Sequence, residues 1–375
     1  MRKIAILTLN GYFNYGNRLQ NYALQEILEK KGFKVETIKN NTDHKKLKFI
    51  ESKNSLVSYY LKKIFSKDIF GKLHLHFIYT IYGKNANEER SLMFKEFSTK
   101  HITESDFQIA INDIPRNFSE EYDFFVTGSD QVWNPVFRFG SSLDFLTFAP
   151  KEKRIAYAPS FGITKIPITY VERYKKWLSE MSGISVREIE GAKLIKELTG
   201  RDAEVLIDPT LLLTKEEWLK IKKPHINKPD GKYLLTYFLS EISSETARTI
   251  IETAKLHDLE IVNLANIKEK KYYSTGPSEF LDYINSASIF FTDSFHGAVF
   301  SILFETPFLV YEREGNLPSM NSRIDTLLST FKLETRKGNV KDVNSEIIDL
   351  DFSHLKIILS KERAKAHNYL DYYLK

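Results

Sequence analysis

The chain has 375 residues, 42% of them apolar and 27% charged, with a net charge of +5 and no cysteine. That length predicts two or three domains with full cores, and that balance excludes a disordered chain. Without cysteine there are no disulfides, zinc–thiolate sites or thiol nucleophiles, which fits a cytoplasmic protein.

Met1-Arg2-Lys3 and the apolar run after it begin like a leader peptide, but Asn10-Gly11-Tyr12-Phe13-Asn14 ends the run too early. The segment Lys3 to Leu9 reads instead as a first strand. No run of about 18 apolar residues exists, so no transmembrane helix is expected. After a loop at Asn10 to Asn17, the residues Leu19, Tyr22, Ala23, Ile27 and Leu28 recur at helical spacing, and Gly32 stops that helix. Lys34 to Ile38 is the next strand. A strand–helix–strand unit requires a parallel pair and a right-handed crossover.

From Lys45 to Lys84 lysines alternate with aromatics such as Tyr59, Tyr60, Phe65 and Phe70. The stretch reads as a basic helical insertion, packed on its domain or lying on an anionic membrane surface. The rest of the chain is nearly neutral, so nucleic acid is not an expected partner. Further strands are expected at Asp123 to Thr127, Arg154 to Ala158, Ile184 to Arg187 and Glu204 to Ile207. Helical patterns lie at Thr169 to Met181 and Glu190 to Leu198.

Ile221 to Gly231 has turn formers and charges without apolar periodicity, and reads as a linker. Beyond it strands are expected at Lys232 to Phe238, Glu260 to Leu264, Ser288 to Thr292 and Phe308 to Tyr311. Helices are expected at Ser244 to Leu256, Ser278 to Asn285, Gly297 to Phe304 and Arg323 to Ser329. A last amphipathic helix runs from about His354 to Tyr373. The fold class is therefore α/β. The expected domains are Rossmann-like: 1–221, with the insertion at about 43–100, and 232–352. The helix at 353–375 packs back on the first. Two such halves facing a central cleft resemble the GT-B arrangement of glycosyltransferases. Ligands in such sheets sit outside the carboxyl ends of the strands.

Four strand ends carry residues suited to chemistry. Asp293-Ser294-Phe295-His296-Gly297 joins a strand to a helix whose free N–H groups suit an anion, with His296 placed as acid or base. The ordinary alternative is a capped turn with a half-buried histidine. Arg187, after Ser185-Val186, offers a guanidinium fork for a carboxylate or phosphate, or else pairs with Glu188. Gly128-Ser129-Asp130-Gln131-Val132-Trp133-Asn134 offers Asp130 as a base and Trp133 as a stacking face. Its ordinary reading makes Asp130 a helix cap and Trp133 a core plug. Asn14, Gly16 and Asn17 open the first helix and could meet an anion or an acceptor. G-x-G-x-x-G and the P-loop lysine are absent, which disfavours NAD and ATP hydrolysis. No H-E-x-x-H motif exists, and neither a metal nor a cofactor is expected.

Taken in order, six segments resemble the polysaccharide pyruvyl transferase family. They are Asn14-Tyr15-Gly16-Asn17 with Leu19-Gln20, the Gly128-to-Asn134 run, Tyr157-Ala158-Pro159-Ser160-Phe161-Gly162, Ser185-Val186-Arg187-Glu188, Asp208-Pro209-Thr210-Leu211-Leu212 and Ser294-Phe295-His296-Gly297. The resemblance spans about residues 1 to 330. It implies phosphoenolpyruvate as donor and transfer of pyruvate, as a ketal, to a sugar of a surface polysaccharide or its lipid-linked precursor. His296, Arg187 and Asp130 are the implied catalytic residues. Arg187, Ser294, Phe295, His296, Gly297 and Arg323 would hold the donor. Asn14, Gly16, Asn17, Asp130, Trp133 and Asn134 would meet the acceptor. Many members have an arginine two positions before the histidine, where this chain has Ser294. Arg323 or Arg18 is the expected replacement. The expected location is the cytoplasm or the inner face of the membrane, with segment 45–84 as a peripheral contact. Two other functions remain open: a GT-B glycosyltransferase using a nucleotide sugar, and a non-catalytic scaffold of a polysaccharide assembly.

Overall fold

The structure, a computed structural model, describes residues 1–41, 84–313, 321–338 and 347–375. All but the last residue of the basic stretch at 45–84 lies outside the described residues. Two parallel sheets dominate. The first has the order β3-β2-β1-β4-β5, with β1 Lys3–Leu7, β2 Lys34–Asn41, β3 Glu104–Ala110, β4 Phe124–Thr127 and β5 Arg154–Ala156. The short pair β6 Ser185–Val186 and β7 Glu204–Val205 continues it past β5, through a bridge between Ile155 and Gly183. The second sheet has the order β11-β10-β8-β9, with β8 Tyr233–Tyr237, β9 Glu260–Asn263, β10 Ile289–Thr292 and β11 Phe308–Val310.

Side-chain alternation explains the layering. Ile4 and Ile6 of β1 face one core with Val126 and Ile155, while Ala5 and Leu7 face another with Phe125 and Ala156. In the second sheet Leu235, Phe290, Phe308 and Val310 point toward the first half, and Leu234, Ile289, Phe291 and Leu309 point away. Both faces of each sheet are thus covered, as parallel sheets require.

The main helices are α1 Tyr15–Lys30, α2 Lys84–His101, α3 Val171–Ser179, α4 Ile189–Thr199, α5 Lys215–Ile221, α6 Ser244–Leu256, α7 Pro277–Ser286, α8 Phe295–Phe304, α9 Ser322–Phe331 and α10 Leu355–Tyr373. Those on the facing sides make the contact between the halves. Tyr15 on α1 stacks on Phe280 of α7 at 4.0 Å between ring centroids. Its hydroxyl donates to the Thr275 carbonyl, and Arg90 of α2 donates to that hydroxyl and to the Tyr273 carbonyl. The C-terminal helix α10 ties in through Tyr369, which donates to the Ala156 carbonyl. Arg363 of the same helix donates to the carbonyls of Leu211 and Leu213. No helix among the described residues is long and apolar enough to cross a membrane.

Three elements depart from the sequence reading. β3 is an edge strand whose pattern, Glu104-Ser105-Asp106-Phe107-Gln108, is mostly polar and hides it. α2 occupies the end of the expected insertion. α5 precedes the linker and is held by a Thr214–Glu217 capping box. The Tyr15–Phe280 stack carries a prediction. Phe280→Ala should cost about 3–5 kcal/mol in urea unfolding, because it empties the seam between the halves.

Candidate active site

The loops after β4, β6, β7 and β10 converge on one buried carboxylate. Asp208 accepts hydrogen bonds from Ser129 Oγ at 3.0 Å, from Arg187 Nη1 at 2.7 Å, and from the Thr210 amide and hydroxyl at 3.0 and 2.7 Å. His296 Nε2 lies 3.5 Å away, an ion-pair distance at which no hydrogen bond is formed. Burial would raise the Asp208 carboxyl, but His296, Arg187 and Thr210 outweigh it and hold the group far below the usual carboxylate range. It is therefore a fixed anion.

Arg187 spans two carboxylates, with Nη2 reaching Asp130 Oδ1 at 3.2 Å. Burial opposes its charge, yet Asp208 and Asp130 raise it on balance. Its guanidinium sits 4.1 Å above the Phe295 ring, and that of Arg323 lies 5.8 Å from the same ring. Burial and the like charge of Arg187 push Arg323 down to about 9. A cavity of about 210 Å³ runs between β7, α9 and α10, lined by Arg187, Asp208, Phe295, Arg323 and Lys365. Two nitrogen atoms in this cluster are buried with no hydrogen-bond partner: Arg187 Nε and His296 Nε2. Glu188 buttresses the loop after β5. Its Oε1 accepts from Ser160 Oγ and the amides of Phe161 and Gly162.

His296 comes from the second half and is pressed against the first. It lies in the first turn of α8, which begins at Phe295 rather than at Gly297 because Ser294 is the N-cap. A methyl group at Gly16 would sit 1.9 Å from His296 Nδ1, so only glycine admits the imidazole there. Gly16 is held by the start of α1, where Asn14 Oδ1 accepts from the Asn17 amide at 3.3 Å. Gln20 of α1 fixes the loop after β4, accepting from the Ser129 amide at 2.9 Å and donating to Thr8 Oγ1 at 2.7 Å.

The structure gathers Arg187, Asp130, Phe295, His296 and Arg323 in one place. Other expected residues have different work. Trp133 is fully buried, stacked on Phe145 and donating to the Asp144 carbonyl, so it is the core plug and offers no sugar a face. Asn134 caps the single turn Pro135–Arg138. Asp130 caps no helix; it has a left-handed backbone, φ 63, and serves Arg187. Burial raises its carboxyl, and Arg187, His296 and Arg323 more than offset this, which leaves a weak base. The Ser294 hydroxyl is taken by the Gly297 amide at 3.3 Å. Gly297 packs on Phe290 and Thr292 of β10, so its missing side chain serves helix–strand contact, not ligand approach. Arg18 is bound to Glu104 at 2.7 Å and to the Leu9 carbonyl at 2.9 Å, which leaves Arg323 as the cation at the cavity. Asp293 is not a cap: it ties the loop after β8 by accepting from the Leu239 and Ser240 amides. Asn17, next to the Gly16 that the imidazole covers, keeps a buried Oδ1 without a partner.

Asp208, Ser129 and Glu188 lie within the six segments, but sequence reasoning does not mark them as site residues. The signal was there in Asp208-Pro209-Thr210, an acidic residue at a strand end. Among the described residues no cluster of His, Asp or Glu fits a metal ion.

Two outcomes follow from this geometry. Asp208→Asn should lower stability at pH 7 by about 3–5 kcal/mol, since it leaves Arg187 under-compensated in a buried site. Asp208 is depressed in the folded state, so its contribution is full above the unfolded carboxylate range, about pH 4, and is lost as pH falls toward the folded value. The variant should accordingly show a flatter acid limb in urea unfolding measured from pH 7 to 3. Gly16→Ala should displace the imidazole, seen as a changed His296 ring signal by NMR with the far-UV circular dichroism unchanged.

A family model described as polysaccharide pyruvyl transferase matches residues 14–315. A search of curated proteins finds no sequence match. Among solved structures, the S. aureus MnaA–UDP co-structure is similar over 100% of this chain and 97% of its own, at 13% identity and a TM-score of 0.50. A Neisseria meningitidis UDP-GlcNAc 2-epimerase bound to UDP-GlcNAc aligns over 98% and 94%, at 10% identity and 0.48. A putative UDP-N-acetylglucosamine 2-epimerase from Listeria monocytogenes aligns over 96% and 91%, at 12% identity and 0.46. The first of these, at a TM-score of 0.50, agrees with the GT-B arrangement of the two parallel-sheet halves. With the family model covering most of its length, the chain belongs to the polysaccharide pyruvyl transferase family and is a transferase.

Proposed function

We propose that the cavity between the halves binds phosphoenolpyruvate and that the enzyme moves its pyruvyl group, as a ketal, onto a sugar of a surface polysaccharide or its lipid-linked precursor. The observation that carries this reading is Arg187 Nε, buried without a hydrogen-bond acceptor, beside His296 Nε2, which faces the Asp208 carboxylate at 3.5 Å without a hydrogen bond. An N–H buried without an acceptor is costly, so such donors mark the place of an absent acceptor. Arg323, whose guanidinium lies 5.8 Å from the Phe295 ring that Arg187 also covers, adds a second cation to the cavity lining. A small dianionic or trianionic metabolite meets these demands, and the cavity of about 210 Å³ suits nothing much larger.

The reaction runs in balanced steps. Arg187 Nε holds the donor carboxylate, and Arg323 the phosphate. His296 gives a proton to the methylene carbon, which becomes a methyl group, and the adjacent carbon becomes electrophilic. A sugar hydroxyl adds to that carbon and returns its proton to His296. The carbon–oxygen bond to phosphate then breaks. A second hydroxyl of the sugar adds, and its proton leaves with the phosphate. Fixed charges from Arg187, Arg323 and the start of α8 stabilise the anionic groups throughout. Asp208 is too firmly ionised and paired to exchange protons, and its part is to hold Arg187 and His296 in place.

The neighbour that carries UDP raises the other reading, a nucleotide-sugar enzyme. Thermal shift separates the two. Phosphoenolpyruvate should raise the unfolding temperature, and UDP-sugars should not. His296→Ala should reduce transfer by about 10²–10⁴-fold, the usual worth of a positioned acid–base group, without loss of fold. The assay is mass measurement of an acceptor gaining one pyruvic acid less one water. Undiminished transfer by His296→Ala would remove the histidine from the chemistry.

A further inference from the structure

The second half carries a groove that donor binding does not use. Two cavities of about 640 and 460 Å³ share Phe238, Ser240, Glu241 and Ile242 as a common wall. Together they follow the carboxyl edge of the second sheet, from Arg313 beyond β11 to Asn263 at the end of β9 and Asn266 beyond it. Each volume is within the range of small-ligand sites, and the position is the switch point of the sheet, where β8 sits between β9 and β10.

The Arg313 end of the groove is tied to the start of the helix that carries His296. Asp293 fixes its floor by accepting from the Leu239 amide at 2.7 Å and from the Ser240 amide at 2.9 Å. The next residue, Ser294, caps the helix that carries His296. Arg313 Nε stands 3.9 Å from Asp293 Oδ2, and its charge reaches Arg323. Of the acceptor residues expected in the first half, Trp133 is core, Asn134 is a cap and Gly16 is covered by His296.

The lining chooses the ligand. Glu241, Glu245 and Glu312 face it, against Arg313 and Lys337. Lys337 is already paired with Glu312 at 2.7 Å and Asp325 at 2.9 Å. A diphosphate would meet an excess of carboxylates and be repelled. A neutral polyol uses both signs, since its hydroxyls donate to carboxylates and accept from cations. Half-buried Phe238 and exposed Ile242 offer apolar surface to the C–H face of a sugar ring. We propose that this groove holds the acceptor as a neutral glycan of two or more sugars, its reacting unit at the Arg313 end. The assignment of that glycan as acceptor rests on the pyruvyl-transfer reading.

The chain has no cysteine, so Ile242→Cys places a single thiol in the wall common to both cavities. Lactose, cellobiose and maltose serve as probes in saturation-transfer NMR, with phosphoenolpyruvate binding followed by calorimetry. At least one disaccharide should bind the wild-type chain and unlabelled Ile242→Cys. A bulky maleimide on Cys should abolish that binding and leave phosphoenolpyruvate affinity unchanged. Glu241→Ala with Glu245→Ala should weaken the disaccharide by about tenfold or more, as expected for losing charge-assisted hydrogen bonds. No disaccharide binding to the wild type, binding that survives both the label and the double variant, or displacement of the sugar by UDP would overturn the groove assignment. Disaccharide binding with no phosphoenolpyruvate binding would leave the groove in place and remove the donor reading instead.

Discussion

The site is organised by the need to neutralise one buried carboxylate. Asp208 is 1% exposed and lies in a setting where an unpaired charge is prohibitive. Its partners come from separate stretches: Ser129 after β4, Arg187 after β6, Thr210 after β7 and His296 on α8. Three belong to the first half of the chain and one to the second. Satisfying Asp208 therefore brings the two halves into one particular relation, and the cleft follows from it.

That relation is reinforced at a second point. Gly16 lets the His296 imidazole lie against the start of α1, and one residue earlier Tyr15 is stacked on Phe280 and held by Arg90. The same helix start thus touches the reactive histidine and anchors the seam. Such a site tolerates little change in domain closure, because the histidine and the arginine belong to different halves. The strands end here, the helices begin here, and the backbone amides and charged side chains that remain are those suited to a small anion.

Much of this was legible in the sequence. The alternating apolar runs gave the parallel sheets, since buried strands such as Ile289-Phe290-Phe291-Thr292 read as continuous hydrophobic segments. Arg187 and His296 stood out because a charged residue at the end of a buried strand needs a partner. β3 escaped because an edge strand can be polar. Trp133 misled because an aromatic next to Gly-Ser-Asp looks the same whether it plugs a core or meets a sugar; the stack on Phe145 decides it. The role of Asp208 was hidden for a different reason. Its partners are 21, 79 and 88 positions away for Arg187, Ser129 and His296, and only the closed fold brings them together.

In the proposed reading, Arg323 stands in for an arginine that the family resemblance calls for. Where the family resemblance calls for an arginine two residues before the histidine, this chain has a serine that spends its hydroxyl on helix capping. A guanidinium from α9 occupies the cavity instead, beside the same Phe295 ring. The central claim is that these cations and His296 close on one small acidic donor. Its most direct test is a crystal structure of the enzyme soaked with phosphoenolpyruvate. The account predicts the ligand between the halves, with its oxygens within hydrogen-bonding distance of Arg187 Nε and its methylene carbon facing His296. Phosphoenolpyruvate bound elsewhere, with that cavity filled only by water, would contradict it.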